Sequence, residues 1–397
     1  MREFMDGAEA LVRGALKAGC NFFAGYPITP ATPIMLKMLR ELPKVGGIGM
    51  QGEDEIASIG MCIGAAMTGM KAMTATSGPG ISLYSENIGM AIMGEVPLVI
   101  VDVMRLGPAT GGATTVSQGD VQFLRWVTSG GFPIIALCPA SIADCYTLTQ
   151  RAFNLAERFR TPVFIATDKE MITAQQTVET DTFEDVDIIE RARAPEEGTF
   201  VPYHVKKLAD VPLFAPIGGA HLTRLTTSMH DEHGMLTKKP SNVNRTSRHL
   251  YQKIETHRDE LELVKLDAQE GARTLIVAYG ISARSAMEAL RLARAAGKRV
   301  SMLTIQSLWP LPEQSLRAAL RGNIAASVEP GDESRSSVSR VGPPSITRLI
   351  VPELNFGQYR MEIERVALLF DSRLEVIGVN RVDGELIAPS EIAELVL

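Results

Sequence analysis

The sequence has little cysteine and no cysteine motif for metal binding. Only four of its 397 residues are cysteines, at positions 20, 62, 138 and 145, and no two of them are separated by two residues. Such C-x-x-C pairs are the usual mark of a zinc or iron–sulfur framework. We therefore predict that this chain holds no metal ion or cluster of its own, and that its cysteines are reduced core thiols.

Long apolar runs and basic runs are also absent. The longest apolar windows, such as residues 96–101, have strand length and fall far short of the roughly 20 residues of a membrane-spanning helix. The net charge is −6, and no segment rich in lysine or arginine opposes it, which argues against a nucleic-acid or membrane surface. The first ten residues carry acids and no apolar core, so we expect no signal peptide and a cytoplasmic protein.

At 397 residues the chain is long enough for two or three domains. Strand and helix patterns alternate at the spacing of βαβ units over residues 1–180 and again over residues 271–397. The sequence therefore predicts an α/β fold with two doubly wound parallel-sheet domains. Residues 181–270 lose this rhythm and are interpreted as an irregular connecting segment. Within it, one polar helix is expected from Ser247 to Leu261.

The turn Tyr26-Pro27-Ile28-Thr29-Pro30 follows a predicted strand. Proline fixes the backbone at positions 27 and 30 and favours extended geometry in the residue before each of them. The turn should therefore be rigid, with the Thr29 hydroxyl presented at its tip.

Further along, Glu53, Asp54 and Glu55 open a helix of mostly small and apolar residues. Three acids at a helix N-terminus can be explained by the helix dipole alone, and on spacing this interpretation is preferred. The functional alternative is a carboxylate used in catalysis. It gains weight because the Thr29 turn precedes these acids and a glycine turn, residues 76–80, follows them.

Residues 76–80, Thr-Ser-Gly-Pro-Gly, lead into a helix expected from Leu83 to Met93. Arg105 then begins a glycine-containing loop directly after a buried strand. Ligands of open α/β sheets bind beyond the carboxyl ends of the strands, and an arginine there suits bidentate capture of a carboxylate. An arginine paired with a nearby acid at the rim is an equal alternative.

Other site patterns are weak or absent. Neither glycine cluster has Walker or dinucleotide spacing, and no Gly-x-Ser-x-Gly elbow is present. His230 and His233 have a spacing that a metal site could use, but they lie in a polar loop without further ligands, so no metal site is predicted there.

These motifs together resemble the α subunit of the 2-oxoacid:ferredoxin oxidoreductases, the group that contains 2-oxoglutarate synthase. Each motif alone is weak, but the set is specific and runs nearly the full length of the chain. The matching segments are Tyr-Pro-Ile-Thr-Pro at 26–30, Glu-Asp-Glu-Ile-Ala at 53–57, Ala-Thr-Ser-Gly-Pro-Gly at 75–80, Pro-Leu-Val-Ile-Val-Asp-Val at 97–103, Arg-Leu-Gly-Pro-Ala-Thr-Gly at 105–111, Gln-Gly-Asp at 118–120 and Pro-Glu-Leu-Asn-Phe-Gly-Gln at 352–358.

This family decarboxylates a 2-oxoacid on thiamine diphosphate, passes electrons through iron–sulfur clusters to ferredoxin and forms an acyl-CoA. The resemblance implies a pyrimidine-binding domain for thiamine diphosphate followed by a transketolase C-terminal-like domain. It also implies that Glu55, or else Glu53, hydrogen bonds the pyrimidine N1′ and promotes the imino tautomer needed to deprotonate the thiazolium carbon.

The resemblance assigns the other candidate site residues as well. The residues expected to line the cofactor are Tyr26, Pro27, Ile28, Ser77 and Gly78. Those expected to hold the 2-oxoacid are Thr29, Arg105 and Thr110.

The family's Gly-Asp-Gly…Asn motif for the diphosphate and Mg²⁺ is missing. Gly119-Asp120 is followed by Val121, and Gly331-Asp332 by Glu333. The resemblance therefore implies that the chain is inactive alone, and that a β subunit supplies the diphosphate–Mg²⁺ site and a [4Fe–4S] cluster. A CoA-binding γ domain would be a separate subunit, and γ and δ subunits are further candidate partners.

The sequence departs from the family in two places. Relatives commonly have Pro-Thr-Lys where this chain has Ala113-Thr114-Thr115 and lacks the lysine. 2-Oxoglutarate is the expected substrate, but the missing cation near the substrate loop leaves pyruvate or a branched-chain, aryl or oxalate-like 2-oxoacid as alternatives. Residues 329–347 are interpreted as an insertion. Two other functions stay open, a non-catalytic assembly subunit that kept the fold and an acyl transferase related to transketolase, in which the turn at residues 26–30 is not expected.

Overall fold

The computed structural model describes residues 1–322 and 346–396. The insertion expected at residues 329–347 therefore lies outside the described residues, except for its last two. Within the described ranges, no helix is both long enough and apolar enough to cross a bilayer. All four cysteines are free and buried, as predicted.

Strands and helices alternate along most of the chain, as the sequence predicts. In the described residues the strands are, in chain order, β1 (Arg2–Met5), β2 (Phe22–Gly25), β3 (Ile48–Gln51), β4 (Ala72–Thr76), β5 (Leu98–Met104), β6 (Ile135–Leu137), β7 (Pro162–Asp168), β8 (Gln176–Glu179), β9 (Val264–Asp267), β10 (Thr274–Tyr279), β11 (Val300–Ile305), β12 (Ser307–Trp309), β13 (Arg348–Glu353) and β14 (Glu375–Asn380).

The α-helices of the same residues vary from one turn to five turns in length. They are α1 (Gly7–Lys17), α2 (Thr32–Glu41), α3 (Glu55–Met67), α4 (Pro79–Met93), α5 (Val121–Arg125), α6 (Ile142–Phe159), α7 (Lys169–Thr173), α8 (Pro240–Glu255), α9 (Ser282–Ala295), α10 (Glu313–Leu320), α11 (Arg360–Phe370) and α12 (Pro389–Glu394).

The larger sheet has seven strands in the order β12-β6-β7-β5-β4-β2-β3. Neighbouring strands are parallel, except that β12 is antiparallel to β6 at one edge. The central strand β5 is buried along its whole length, as expected for a parallel sheet covered on both faces. Its sequence is apolar apart from Asp102.

Strands β1 and β8 form a separate two-stranded antiparallel sheet. The smaller of the two main sheets has five strands in the order β14-β13-β10-β11-β9. Only β9 is antiparallel to its neighbour. The predicted α/β fold with two mostly parallel sheets is therefore confirmed, with one antiparallel edge strand added to each sheet. Because β12 follows β11 in the chain but pairs with β6, the two sheets are joined by a short segment. The division of the chain at residues 180 and 270 stays a prediction.

A loop after β5 fastens the larger sheet to the smaller one. Gln118 is fully buried; its backbone N–H donates to Leu354 O at 2.9 Å, and its Nε2 donates to Tyr279 O at 3.3 Å. Ser282 Oγ donates to Gln118 Oε1 at 2.9 Å, and Asn355 Nδ2 donates to Gln118 O at 2.8 Å. The motifs at residues 118–120 and 352–358, which are far apart in the sequence, thus form one hydrogen-bonded contact.

A buried ionic cluster attaches helix α8 to the larger sheet. Glu95 follows helix α4 and has a left-handed backbone with φ of 50°. Its carboxylate accepts a hydrogen bond from Lys253 Nζ at 2.7 Å, and His249 Nε2 lies 3.1 Å from its other oxygen. Lys253 Nζ also donates to Arg160 O at 3.1 Å. The connecting segment, although irregular, is therefore anchored in the interior.

Two predicted helices begin earlier than expected. The helix predicted from Ser247 to Leu261 is wrong at both ends, because α8 begins at Pro240 and ends at Glu255, and a separate 3₁₀ helix covers Arg258–Leu261. Helix α4 begins at Pro79, four residues before the predicted start. Both helices begin with a proline, which lacks the N–H that the first helical turn leaves unpaired.

Candidate active site

The predicted site residues lie in segments that follow neighbouring strands of the larger sheet. Residues 26–30 follow β2, Glu55 comes shortly after β3, residues 77–78 follow β4, and the loop from Arg105 follows β5. These four strands are adjacent and parallel in the order β5-β4-β2-β3. Their carboxyl ends therefore lie at one edge of the sheet, where ligands of open α/β folds bind.

The three acids at the start of helix α3 have different roles. Asp54 caps the helix, because its Oδ1 accepts a hydrogen bond from Ala57 N at 2.7 Å. Glu53 lies outside the helix and is exposed. Glu55 is the first helical residue, is only 8% exposed, and accepts no hydrogen bond from the described residues. The dipole interpretation therefore applies to Asp54, and Glu55 is the buried carboxylate with free acceptor capacity.

Two glycines make room for the charged groups of the site. A Cβ atom on Gly80 would overlap Thr76 Oγ1 and lie 3.2 Å from Glu55 Oε1. Gly78 has a φ of 46°, and a Cβ atom there would lie 3.3 Å from both Cγ and Nε of Arg105. Residues 76–80 thus bring a backbone turn into direct contact with both Glu55 and Arg105.

Arg105 is 4% exposed and connects two loops of the site. Its Nη1 donates to Thr29 O at 2.5 Å, and its Nη2 donates to Thr110 O at 3.0 Å. Its Nε is buried and has no partner in the described part of the chain. Burial lowers the pKa of Arg105, while the charges of Asp120 and Glu55 oppose this change. The alternative interpretation, an ion pair with an acid at the rim, is not seen in the described residues, because neither acid contacts the guanidinium directly.

The remaining predicted residues divide into exposed and buried ones. Tyr26, Pro27, Thr29 and Thr110 are exposed at the mouth of the site, and Ile28 is half-buried against the core. The Thr29 hydroxyl makes no hydrogen bond with any described residue, which agrees with its predicted presentation. Ser77 is fully buried.

Six buried polar atoms near this edge have no hydrogen-bond partner among the described residues. Buried polar atoms are almost always paired, so a cluster of unpaired ones indicates groups that a bound molecule, a water or another chain would satisfy. The atoms are Thr76 Oγ1, Ser77 Oγ, Arg105 Nε, both carboxyl oxygens of Asp102 and Asp120 Oδ2.

Sequence reasoning did not assign Thr76, Asp102 or Asp120 to the site. The available signal was Asp102 itself, an acid in the middle of an otherwise apolar strand. Burial and the nearby charge of Asp120 raise the pKa of Asp102 well above its ordinary value, and the backbone N–H of Gly78 opposes this. Burial raises the pKa of Asp120 to about 6, against the effect of Arg105.

His230 lies away from this edge, beside a separate cavity of about 190 Å³. Its ring packs against Tyr203, with the centroids 4.1 Å apart, and its nitrogens lie 2.8 Å from Asp231 O and 3.2 Å from Met93 O. Across residues 1–322 and 346–396, no group of three or more His, Cys, Asp or Glu side chains is placed to hold a metal ion.

Two family models match the chain. Residues 13–249 match pyruvate flavodoxin/ferredoxin oxidoreductase, thiamine diphosphate-binding, and residues 272–334 match pyruvate:ferredoxin oxidoreductase core domain II. The chain is also similar to 2-oxoglutarate synthase subunit KorA of Methanocaldococcus jannaschii, with 39% identity over 397 residues, covering 100% of this chain and 99% of the relative.

Two solved structures are similar to this one. The first is the 2-oxoglutarate:ferredoxin oxidoreductase from Magnetococcus marinus with 2-oxoglutarate, coenzyme A and succinyl-CoA bound, with a TM-score of 0.86 and 30% identity. The match covers 100% of this chain and 64% of that chain. The second is a split-gene transketolase, which shares the fold alone at 13% identity and a TM-score of 0.53, covering 99% of this chain and 97% of the other.

Proposed function

The chain belongs to the pyruvate flavodoxin/ferredoxin oxidoreductase family, and from this premise we propose that it is the α subunit of a 2-oxoacid:ferredoxin oxidoreductase. The reaction is the oxidative decarboxylation of a 2-oxoacid with CoA to an acyl-CoA and CO₂, with the electrons passed to ferredoxin. The observation that carries the proposal is the buried Glu55 carboxylate, which has no hydrogen-bond donor in the described chain and shares its site with Arg105. The 39% identity to a 2-oxoglutarate synthase subunit over the whole chain favours 2-oxoglutarate as the substrate.

The unpaired polar atoms of the site are suited to hydrogen bonding with thiamine diphosphate. When bound, it supplies the electron sink for the decarboxylation. Glu55 would hydrogen bond the pyrimidine N1′, with Ser77 and Gly78 lining the ring. The unpaired hydroxyls of Thr76 and Ser77 support this assignment, because a polar heteroaromatic ring offers them partners that the chain itself does not. Tyr26, Pro27 and Ile28 would complete the lining from the turn after β2.

Arg105 would bind the carboxylate of the 2-oxoacid. Two of its N–H groups are held by the carbonyls of Thr29 and Thr110, so the guanidinium is fixed in place, and its Nε–H stays unpaired. A charge-assisted hydrogen bond from a fixed guanidinium is among the stronger polar contacts available to a protein. The exposed hydroxyls of Thr29 and Thr110 would add further hydrogen bonds to the substrate.

A β subunit would complete the site. It would hold the diphosphate with Mg²⁺ and a [4Fe–4S] cluster, and CoA, ferredoxin and separate γ or δ subunits would be further partners. One face of helix α3 supports this docking, because a Cβ atom on Gly60 or Gly64 would meet nothing within 4 Å and Ile56 is 50% exposed. No described side chain or backbone of a neighbouring element packs against Gly64, and the β subunit is proposed to make that contact.

The proposal is tested on the co-expressed α–β complex. A panel of 2-oxoacids is supplied with CoA and a low-potential dye, and we expect dye reduction that depends on CoA, with 2-oxoglutarate the preferred acid. Bound thiamine diphosphate without turnover on any 2-oxoacid would favour the assembly-subunit alternative. Acyl transfer without dye reduction would favour the transketolase-like alternative.

Two neighbouring acids provide a matched pair of variants for the role of Glu55. Glu55→Gln should reduce turnover strongly, because the amide cannot act as the carboxylate does toward the pyrimidine. Glu53→Gln changes an exposed residue two positions away and should leave turnover near that of the wild type. Equal activity of the two variants would remove the assigned role from Glu55.

A further inference from the structure

A cleft of about 310 Å³ shares no lining residue with the candidate active site. It is bordered by the end of helix α5, the end of strand β12 and the segment after it, and residues of α8, α10 and α11. The chain has only two tryptophans, Trp126 and Trp309, and both line this cleft. Cavities of this size, with aromatic walls and a few polar groups, are typical of small-molecule sites.

Arg125, the last residue of α5, is held in the cleft by both tryptophan rings. Its Cζ atom lies 4.1 Å from the ring centroid of Trp126 and 5.7 Å from that of Trp309, which are distances of cation–π contacts. Trp309 is only 2% exposed, and its Nε1 donates to Val121 O at 3.0 Å. Trp126, in contrast, is 55% exposed. The guanidinium is therefore fixed by the rings, and much of the Trp126 ring stays open to solvent.

The N–H groups of Arg125 are not used within the described part of the chain. The side chain forms no hydrogen bond and no ion pair with any described residue, and its Nη1 is buried without a partner. A guanidinium whose faces are covered by rings still donates in its own plane, where its fork matches the two oxygens of a carboxylate. The missing partner of Arg125 is thus an oxyanion.

The other charged groups of the cleft pair with one another. The lining contains three arginines and three glutamates, so its formal charges cancel. The pairs are Arg365–Glu313 at 2.8 Å, Arg365–Glu362 at 3.1 Å and Arg258–Glu255 at 3.4 Å. A ligand with several negative charges would be repelled by the three glutamates. The cleft therefore suits an anion with a single negative charge.

We propose that this cleft binds a small aromatic carboxylate with one negative charge. Its carboxylate accepts hydrogen bonds from Arg125, and its ring packs against the exposed part of Trp126, since aromatic pairs add to the energy of area burial. The inference does not depend on the proposed function, because it concerns other residues. An acidic side chain of a partner protein is the competing occupant, and it would bring no ring to Trp126.

Intrinsic tryptophan fluorescence of the full chain reports on this cleft alone, because both tryptophans line it. The probe is benzoate, added at constant ionic strength, and the fluorescence should change with saturation. Acetate, which lacks the ring, and inorganic phosphate, which carries more charge, should bind at least tenfold more weakly. An unsaturated response to benzoate, or equal affinities for the three anions, would overturn the proposal.

Two stacked arginines provide a matched pair of variants. Arg125→Gln should weaken benzoate binding roughly 10- to 100-fold, because it removes charge-assisted hydrogen bonds. Arg321→Gln changes an arginine that stacks on Phe370 outside the cleft, with its Cζ 5.2 Å from the ring centroid, and should bind benzoate like the wild type. Equal affinities for the two variants would refute the role of Arg125. Should Arg125→Gln fail to fold, Trp126→Ala replaces it, with Trp309 as the remaining reporter and the same loss of affinity expected.

Equilibrium dialysis of labelled benzoate against the α–β complex separates the two occupants. One benzoate should bind per α chain, with the affinity that fluorescence gives for the chain alone. Binding to the chain but not to the complex would overturn the small-molecule site and assign the cleft to the subunit interface.

Discussion

Replacement of Lys253 by methionine tests whether the buried ionic cluster anchors the connecting segment. The side chains of Lys253 and Glu95 are 2% and 1% exposed, and their charged atoms are 2.7 Å apart. Methionine keeps most of the side-chain volume but leaves Glu95 with His249, whose Nε2 lies 3.1 Å away, as its remaining close side-chain contact. Removing one partner of a buried pair typically costs ~3–5 kcal/mol, because the remaining charge stays in the interior.

Thermal unfolding of the α–β complex is the assay. At roughly 2–4 °C per kcal/mol for a domain of 150–250 residues, the melting temperature of Lys253→Met should fall by about 6–20 °C. The control is Arg291→Met, because the Arg291–Glu288 pair is 65% and 44% exposed and such pairs contribute at most ~1 kcal/mol. Equal melting temperatures for Lys253→Met and the wild type would refute the anchoring role.

The pH dependence of this stability difference provides a second check. Burial acts to raise the pKa of Glu95, but the charges of Lys253 and His249 hold it well below its usual range. Burial also lowers the pKa of Lys253, and Glu95 opposes this change. A carboxylate with a depressed pKa stabilises the fold above its unfolded pKa and loses that effect as the pH falls. The difference in unfolding free energy between the wild type and Lys253→Met should therefore be largest at neutral pH and should decrease below about pH 4.5. A difference that increases on acidification would contradict the assignment.

Two further predictions concern the site directly. Arg105→Ala removes charge-assisted hydrogen bonds of ~1.5–3 kcal/mol, so KM for the 2-oxoacid should rise about 10- to 150-fold; an unchanged KM in steady-state kinetics would make Arg105 structural only. Gly80→Ala brings a Cβ atom against Thr76 and Glu55 and should destabilise the protein by ~1–3 kcal/mol in thermal melts, with loss of activity. Its control is Gly64→Ala, which has open space within this chain and should stabilise the isolated α chain by up to ~1 kcal/mol while weakening assembly with the β subunit. Similar melting temperatures for the two glycine variants would contradict the packing described for Gly80.

The fold was largely predictable because its signals are local. A buried parallel strand such as β5 is a short apolar run between turns, and such runs alternate with amphipathic helices over most of the chain. The predicted starts of α4 and α8 are too late because Gly80 and Ser82 interrupt the apolar pattern after Pro79, and the residues after Pro240 are mostly polar. Proline at the first helical position was the available signal. The pairing of β12 with β6 had no local signal at all, since it depends on how the two sheets meet.

The candidate site was predictable where residues of a suitable chemical type follow neighbouring parallel strands. Parallel strands end at the same edge, so the Thr29 turn, Glu55 and Arg105 could be placed near one another from the sequence. The resemblance favours Glu55 over Glu53, but the sequence does not show the physical reason, which is that Asp54 caps the helix and the next residue is buried. Asp102 was missed because hydrophobic patterning treats an acid within a strand as an exception, whereas its lack of partners appears only in three dimensions.

Arg105 constrains how the substrate preference of this protein can change during evolution. The same guanidinium that is proposed to bind the 2-oxoacid also joins the carbonyls of Thr29 and Thr110. A mutation that removed it to admit a different substrate would detach both loops at once, so such a mutation would be selected against even where the new substrate is useful. New specificities should therefore arise at the far end of the loop, around residues 113–115, where Thr114 is exposed. Side chains there can be exchanged while Arg105 keeps its contacts with both loops and its proposed contact with the carboxylate that all 2-oxoacids share.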